Sequence, residues 1–173
     1  MPKPLQESVL LTRPGLEQRE ALVTIGIREL IPSSTIASAI PKTLRQVKTW
    51  LVQHGIPEWG QPFFRFYRIH MGAQYDLEVG YLLPAPVPGD AAVIRGEIPA
   101  GTYGVLRYKG KNRGYQGNKA LLDWAKAAGI EWDRWDSPAG DHFRCRYEVY
   151  LSDIEREPDH KNWIKEVCIL VKS

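Results

Sequence analysis

The run RCRYEVYL (144–151) is made of strand-forming residues, yet it carries a carboxylate, Glu148, near its middle. A carboxylate inside a half-buried strand loses hydration and persists only where something compensates it. Alternate residues of a strand share a face. Arg144, Arg146, Glu148 and Tyr150 therefore form one set, and Cys145, Tyr147, Val149 and Leu151 the other. The first set supports three chemistries. Glu148 can be a solvated charge on the open face of an antiparallel sheet, paired with a neighbouring arginine. It can hold a cationic ligand within a ring of aromatics. It can also act as a general base that activates water. Spacing alone does not choose among them.

Other residues join this candidate site by the same reasoning. In WIKEVCILV (163–171), Val167, Ile169 and Val171 form the apolar set, which leaves Glu166, Cys168 and Leu170 for the face expected to carry Glu148. In DLEVGYLL (76–83), Glu78 takes the place of Glu166. The basic stretch RYKGKNRGYQGNK (107–119) interleaves Arg107, Lys109, Lys111, Arg113 and Lys119 with Tyr108 and Tyr115. Such a loop binds phosphate or nucleic acid in some proteins, or simply leads a solvated strand end into a helix. Trp132 and Trp135 lie in a polar segment, GIEWDRWDSPAGDHF, with no helical face to explain them; they either line a pocket rim or cap the helix end.

The elements that position these residues repeat. ALVTIGIREL (21–30) alternates apolar residues as a strand does. PKTLRQVKTWLVQHG (41–55) places Leu44, Val47, Trp50 and Leu51 on one helical face, with Pro41 in the first turn and Gly55 as the stop. Two strands follow, PFFRFYRI (62–69) and YDLEVGYLL (75–83). After the proline-rich segment 85–92, a second strand falls in 93–110. A helix over 119–129 with Asn118 as its cap, and strands 144–151 and 163–171, complete the second half. WLVQHGI (50–56) and WAKAAGI (124–130) share Trp, four residues, Gly, Ile. The expected fold is α+β: tandem βαββ halves (20–84 and 93–173, after a 1–19 extension) sharing one antiparallel sheet. Both helices are expected on one face of that sheet, with a ligand cleft on the other face where the halves meet.

Composition excludes several classes. The chain has 173 residues, enough for one domain or two small lobes with a common core. A net charge of +3 is too small to argue for nucleic acid or a membrane surface. No apolar run reaches transmembrane length, and the first residues do not read as a signal peptide, so a cytoplasmic protein is expected. Cys145 and Cys168 fall in separate strands and read as small buried residues. The four histidines (54, 70, 142 and 160) are scattered, with no metal-ligand spacing and no sign of a cofactor.

The second half resembles the GyrI-like small-molecule-binding domain, the effector-binding domain of AraC- and MerR-type regulators. GEIPAGTYGVLRYKG (96–110), ALLDWAKAAGI (120–130), YEVYLSD (147–153) and WIKEVCILV (163–171) carry the resemblance, and DLEVGYLLP (76–84) resembles the end of the family's first half. The resemblance implies a tandem βαββ fold with a central groove for a small-molecule ligand. It implies that Glu148 matches the buried glutamate that meets cationic aromatic ligands in multidrug-sensing members. Stand-alone members similar to cyclopropane-opening hydrolases imply a catalytic Glu148 assisted by Tyr150. The family name implies a third role, inhibition of a protein partner such as DNA gyrase. No helix-turn-helix is legible before residue 20, so direct DNA binding is not expected. The family's usual histidine in the strand before the second helix stands here as Tyr108. A haem role, suggested by the fold relative SOUL, lacks a placed histidine.

Overall fold

A computed structural model describes residues 12–110 and 114–173. Lys111 and Arg113 of the basic loop, and positions 1–11 of the amino-terminal extension, lie outside the described residues. The first half runs from β1 (Gly15–Arg19) and β2 (Leu22–Pro32) through α1 (Ile36–Gln53) to β3 (Pro62–Ile69) and β4 (Gln74–Leu83). The second runs from β5 (Ile94–Ile98) and β6 (Gly101–Lys109) through α2 (Gly114–Ala127) to β7 (Arg134–Ser137) and β8 (Gly140–Phe143). It ends with β9 (Arg146–Tyr150) and β10 (Ile164–Leu170). Strand, helix, strand, strand thus occurs twice, in a single antiparallel sheet ordered β1-β6-β10-β9-β3-β4-β2-β5.

Helix α1 forms because Leu44, Val47, Trp50 and Leu51 recur at helical spacing and bury one stripe. The repeated Trp-x4-Gly-Ile ends both helices in the same way. Gly55 and Gly129 adopt left-handed backbone at φ 66° and 70°. The amide of Gly55 donates to the Val52 carbonyl and that of Ile56 to Leu51; Gly129 and Ile130 donate likewise to Lys126 and Ala125. Glycine takes this conformation without a Cβ clash, and the crossed bonds satisfy carbonyls the helix end would otherwise leave unpaired.

The sheet is strongly curled. Only Pro99 and Ala100 separate β5 from β6, although five strands lie between them in the sheet order. Arg65 on β3 shows which face is inside the curl. Its Nη1 donates to the Glu97 carbonyl on β5 at 3.0 Å, three strand spacings away, a distance of about 14 Å in a flat sheet. The face bearing Arg65 is therefore concave, and it is filled by Phe63, Ile98, Tyr103, Val105, Tyr147 and their neighbours. Both helices cover the opposite face. Helix α1 packs with Ile25, Phe64, Leu77, Val79 and Tyr150. Helix α2 contributes Leu121 to a cluster with Leu106, Tyr108, Val167 and Ile169. Each fully buried leucine such as Leu51 or Leu121 contributes about 1.5–3 kcal/mol.

Several local expectations are revised. Helix α1 begins at Ile36, so Pro41 lies inside it, where it forfeits one backbone bond near the helix start. Asn118 lies within α2 rather than capping it. Segment 93–110 holds two strands, and the polar tryptophan segment folds as the β7–β8 hairpin. Part of the amino-terminal extension pairs with β6 as β1. The proline-rich connection is tied down: Asp90 accepts the Ala92 and Val93 amides and, at 2.7 Å, the Trp50 indole N–H. Among the described residues, no helix is long and apolar enough to cross a membrane.

Candidate functional site

Strand register decides what surrounds Glu148. Its partner across β10 is Val167, and across β3 it is Phe64. Val167 packs in the α2 cluster and Phe64 in the α1 cluster. Glu148 therefore points to the helix-bearing face, into the gap between the two helices. The alternation read from sequence is right about which residues share a face. The expectation that Cys145, Tyr147 and Val149 meet the helices is overturned, because those residues fill the inside of the curl. The cleft beside Glu148 shares its face with the helices.

In that gap is a cavity of about 270 Å³. Ile36 and Ile40 wall it from α1, Tyr115 and Asn118 from α2, and Phe64, Phe66, Ile69 and Tyr75 from β3 and β4. Glu148, Arg146, Tyr108 and Lys165 supply its polar groups. Glu148 is only 4% exposed. The Tyr108 hydroxyl donates to its Oε1, and Asn118 Nδ2 approaches Oε2 at 3.4 Å. The Asn118 side chain also accepts from Arg146 Nη2 at 2.7 Å, which links the two charged residues through one amide. Burial, followed by the negative charge of Glu148, pushes the Tyr108 phenol above the usual tyrosine range. Tyr108 therefore stays a proton donor to the carboxylate throughout the neutral range.

Among the described residues, two buried cations, Arg146 and Lys165, line the cavity with Glu148. Arg146 lies over the Phe143 ring at 4.8 Å, and burial lowers its pKa while the charge of Glu148 opposes the shift. Its Nε has no hydrogen-bond partner among the described residues. Lys165 directs its ammonium toward three rings: Tyr108 at 5.3 Å, Tyr150 at 5.5 Å and Phe64 at 6.0 Å from the centroids. Burial lowers its pKa too, again against the pull of Glu148. The sequence reading missed Lys165, although its parity with Val167 and Ile169 was the available signal.

The remaining candidates scatter. Tyr115 stands at the pocket rim, 75% exposed. Tyr150 is on the Glu148 face, but it is packed against Phe64 and Trp163 behind Lys165 and does not line the cavity. Glu78 and Glu166, expected to share the cleft, lie on the opposite face. Glu166 is one residue out of phase with Val167, the partner of Glu148, and Glu78 pairs with Arg65 inside the curl. Burial raises the pKa of Glu78, partly offset by the Tyr67 hydroxyl, which donates to it at 3.0 Å. Burial would also raise Glu166, but hydrogen bonds from Arg19 and Arg107 more than offset it and hold that carboxyl below its usual range. Trp135 is exposed on β7, stacked on His142 away from the cavity, whereas Trp132 packs into the α2 cluster. Among the described residues, no group of three or more His, Cys, Asp or Glu side chains is placed to hold a metal ion.

A cavity between two βαββ halves, with a buried glutamate at its base, is an arrangement suited to a small organic ligand. A family model described as the GyrI-like small molecule binding domain matches residues 14–172. No curated protein matches the sequence. Among solved structures, the EcmrR C-terminal domain superposes with a TM-score of 0.70 at 18% identity, covering 94% of this chain and 99% of that one. EcmrR in its DNA complex gives 0.72 at 17% identity over 93% of this chain, which spans 57% of the length of that one. A protein described as a hydrolase from Listeria innocua gives 0.59 at 8% identity, covering 92% of each chain. SAV2435 bound to tetraphenylphosphonium gives 0.56 at 12%, covering 94% of this chain and 95% of that one. At these identities the likeness is one of fold.

Proposed function

We propose, for a chain that belongs to the GyrI-like small molecule binding domain family, that it binds small aromatic molecules in the cavity between α1 and α2, with Glu148 as the polar anchor. The observation that carries this reading is the placement of Glu148. It is a nearly buried carboxylate, held by Tyr108 and Asn118, at the base of a cavity walled mainly by isoleucine, phenylalanine and tyrosine, with Arg146 and Lys165 beside it. Apolar walls supply affinity, and a single fixed acceptor supplies orientation. The ligand would lay a planar ring between Ile40 and Phe66 and donate an N–H or O–H to Glu148.

Glu148→Gln preserves shape and removes the charge. Binding of a fluorescent naphthol followed by titration should weaken about tenfold, the cost of replacing a charge-assisted hydrogen bond by a neutral one. Unchanged affinity in the variant would remove Glu148 from the site.

A hydrolytic reading shares the same residue. Glu148 Oε2 meets Asn118 at a long 3.4 Å, which leaves that oxygen the better placed to accept from a water attacking a strained ring. Tyr150 does not line the cavity, so on this reading the neighbouring phenol would be Tyr108. Mass spectrometry of a cyclopropane-containing aromatic substrate tests it: a product gaining one water in wild type but not in Glu148→Gln supports hydrolysis. Recovery of intact substrate from both leaves binding alone.

A further inference from the structure

Lys165 bears on which charge the ligand carries. It sits on β10 with Tyr150 of β9 and Tyr108 of β6 as its direct cross-strand partners. Its ammonium faces the rings of Tyr108, Tyr150 and Phe64. Those are the ring faces that a lipophilic cation would seek, and they are already engaged by the chain's own ammonium. A second cation would also enter against Arg146.

The charges lining the cavity among the described residues are two cations, Arg146 and Lys165, and one carboxylate, Glu148, which lies between them along the β9–β10 pair. One positive charge is thus left over at the buried base of an open, largely apolar cavity, where unbalanced charge is costly. Arg146 spends Nη2 on the neutral Asn118 amide, and among the described residues its Nε meets no acceptor. Among the described residues Lys165 makes no ion pair; its ammonium faces three aromatic rings and feels the charge of Glu148 only through space. The cavity also adjoins the amino-terminal turns of both helices, where the helix dipoles favour negative charge.

We propose that the cavity takes aromatic acids, planar molecules with a carboxylate or similar anionic group directed to Lys165 and Arg146 and a hydrogen-bond donor directed to Glu148, and that Lys165 is the residue that excludes lipophilic cations. The proposal rests on the cavity being the binding site, as argued above.

A matched series separates the two claims. Isothermal titration would compare 6-hydroxy-2-naphthoate, the neutral 6-hydroxy-2-naphthamide and the cationic 6-hydroxy-2-naphthylmethylammonium, which share one ring system and differ in charge. The expected order in wild type is acid, amide, cation, with the acid at least about tenfold tighter than the cation. Lys165→Met should remove the acid's advantage and leave the amide within about threefold of wild type, while Lys165→Arg should keep the order. A cation that binds wild type as tightly as the acid overturns the proposal and leaves the cavity reading standing. An acid preference that survives in Lys165→Met overturns the role of Lys165. Failure of all three compounds to bind removes the cavity reading and the proposal with it. Should Lys165→Met fail to fold by circular dichroism, the wild-type order of acid and cation still decides.

Discussion

Replacing Tyr108 by phenylalanine deletes one oxygen from the centre of the site. The Tyr108 side chain is fully buried, and its hydroxyl donates to Glu148 Oε1. The phenylalanine ring would keep the packing against Gly117, where a Cβ would come within 2.7 Å of the tyrosine ring, and would keep the ring face presented to Lys165. What is lost is a hydrogen bond to a buried carboxylate, which is then left with the long Asn118 contact. Hydrogen bonds to charged groups are worth about 1.5–3 kcal/mol, and an acceptor stranded in a buried site takes the cost toward the upper half of that range. Urea unfolding should therefore show a loss of about 2 kcal/mol with an unchanged m-value, and the melting temperature should fall by about 4–8 °C for a chain of this size. A double-mutant cycle with Glu148→Gln isolates the pair and should return a coupling of about 1 kcal/mol, the difference between a charged and a neutral acceptor. A loss below about 0.5 kcal/mol, or strict additivity of the two substitutions, would show that Tyr108 does not hold Glu148 and would refute the account of how the carboxylate tolerates burial.

Two further predictions concern pH. The carboxyl of Glu166 is held below its usual range by Arg19 and Arg107, so its contribution is present above the unfolded value of 4.5 and is lost as pH falls through the lower folded value. Glu166→Gln should cost about 1–2 kcal/mol at pH 7, discounted because the Arg107 side chain is half exposed, and the gap to wild type should close in acid; a gap independent of pH contradicts the pairing. Lys165 has the opposite sense. Its folded pKa is depressed below 10.5, so between the two values the unfolded chain holds a proton the folded chain lacks, and stability rises with pH. Wild type should gain stability relative to Lys165→Met as pH rises toward 10.5, as read by chemical denaturation at stepped pH; a constant difference would show that burial does not perturb the amine.

The strands and helices whose burial has one clear period were legible in the sequence. Val23, Ile25 and Ile27 announce β2, and Leu44, Val47 and Leu51 announce α1, because each element presents one apolar side to a helix or sheet. The shared Trp-x4-Gly-Ile was visible as a repeat, and its meaning, two identical helix ends, follows from the left-handed glycine. The face of the sheet was not legible at β9 and β10. Every residue of β9 is buried, and so is nearly every residue of β10, because the curl closes one face on itself while the helices cover the other. Alternation then separates two sets without saying which meets the helices. The sequence pattern sends Tyr147 and Val149 of β9 and Val167 and Ile169 of β10 alike to the helices; only the second assignment holds, so Glu148 is grouped with Glu78 and Glu166 although it lies on the opposite face, and Lys165 falls among core residues. Strands β1, β7 and β8 are short and mostly polar or exposed, so they carry no hydrophobic period at all.

The most direct test of the central claim is a crystal structure of the protein soaked with 6-hydroxy-2-naphthamide. The account predicts a naphthalene ring between α1 and α2, in contact with Ile40, Phe66 and Tyr115, with its hydroxyl within hydrogen-bonding distance of Glu148. A ligand seated instead in the separate groove lined by Trp59, Tyr81 and Ser152, with the Glu148 cavity empty beside it, would contradict the assignment.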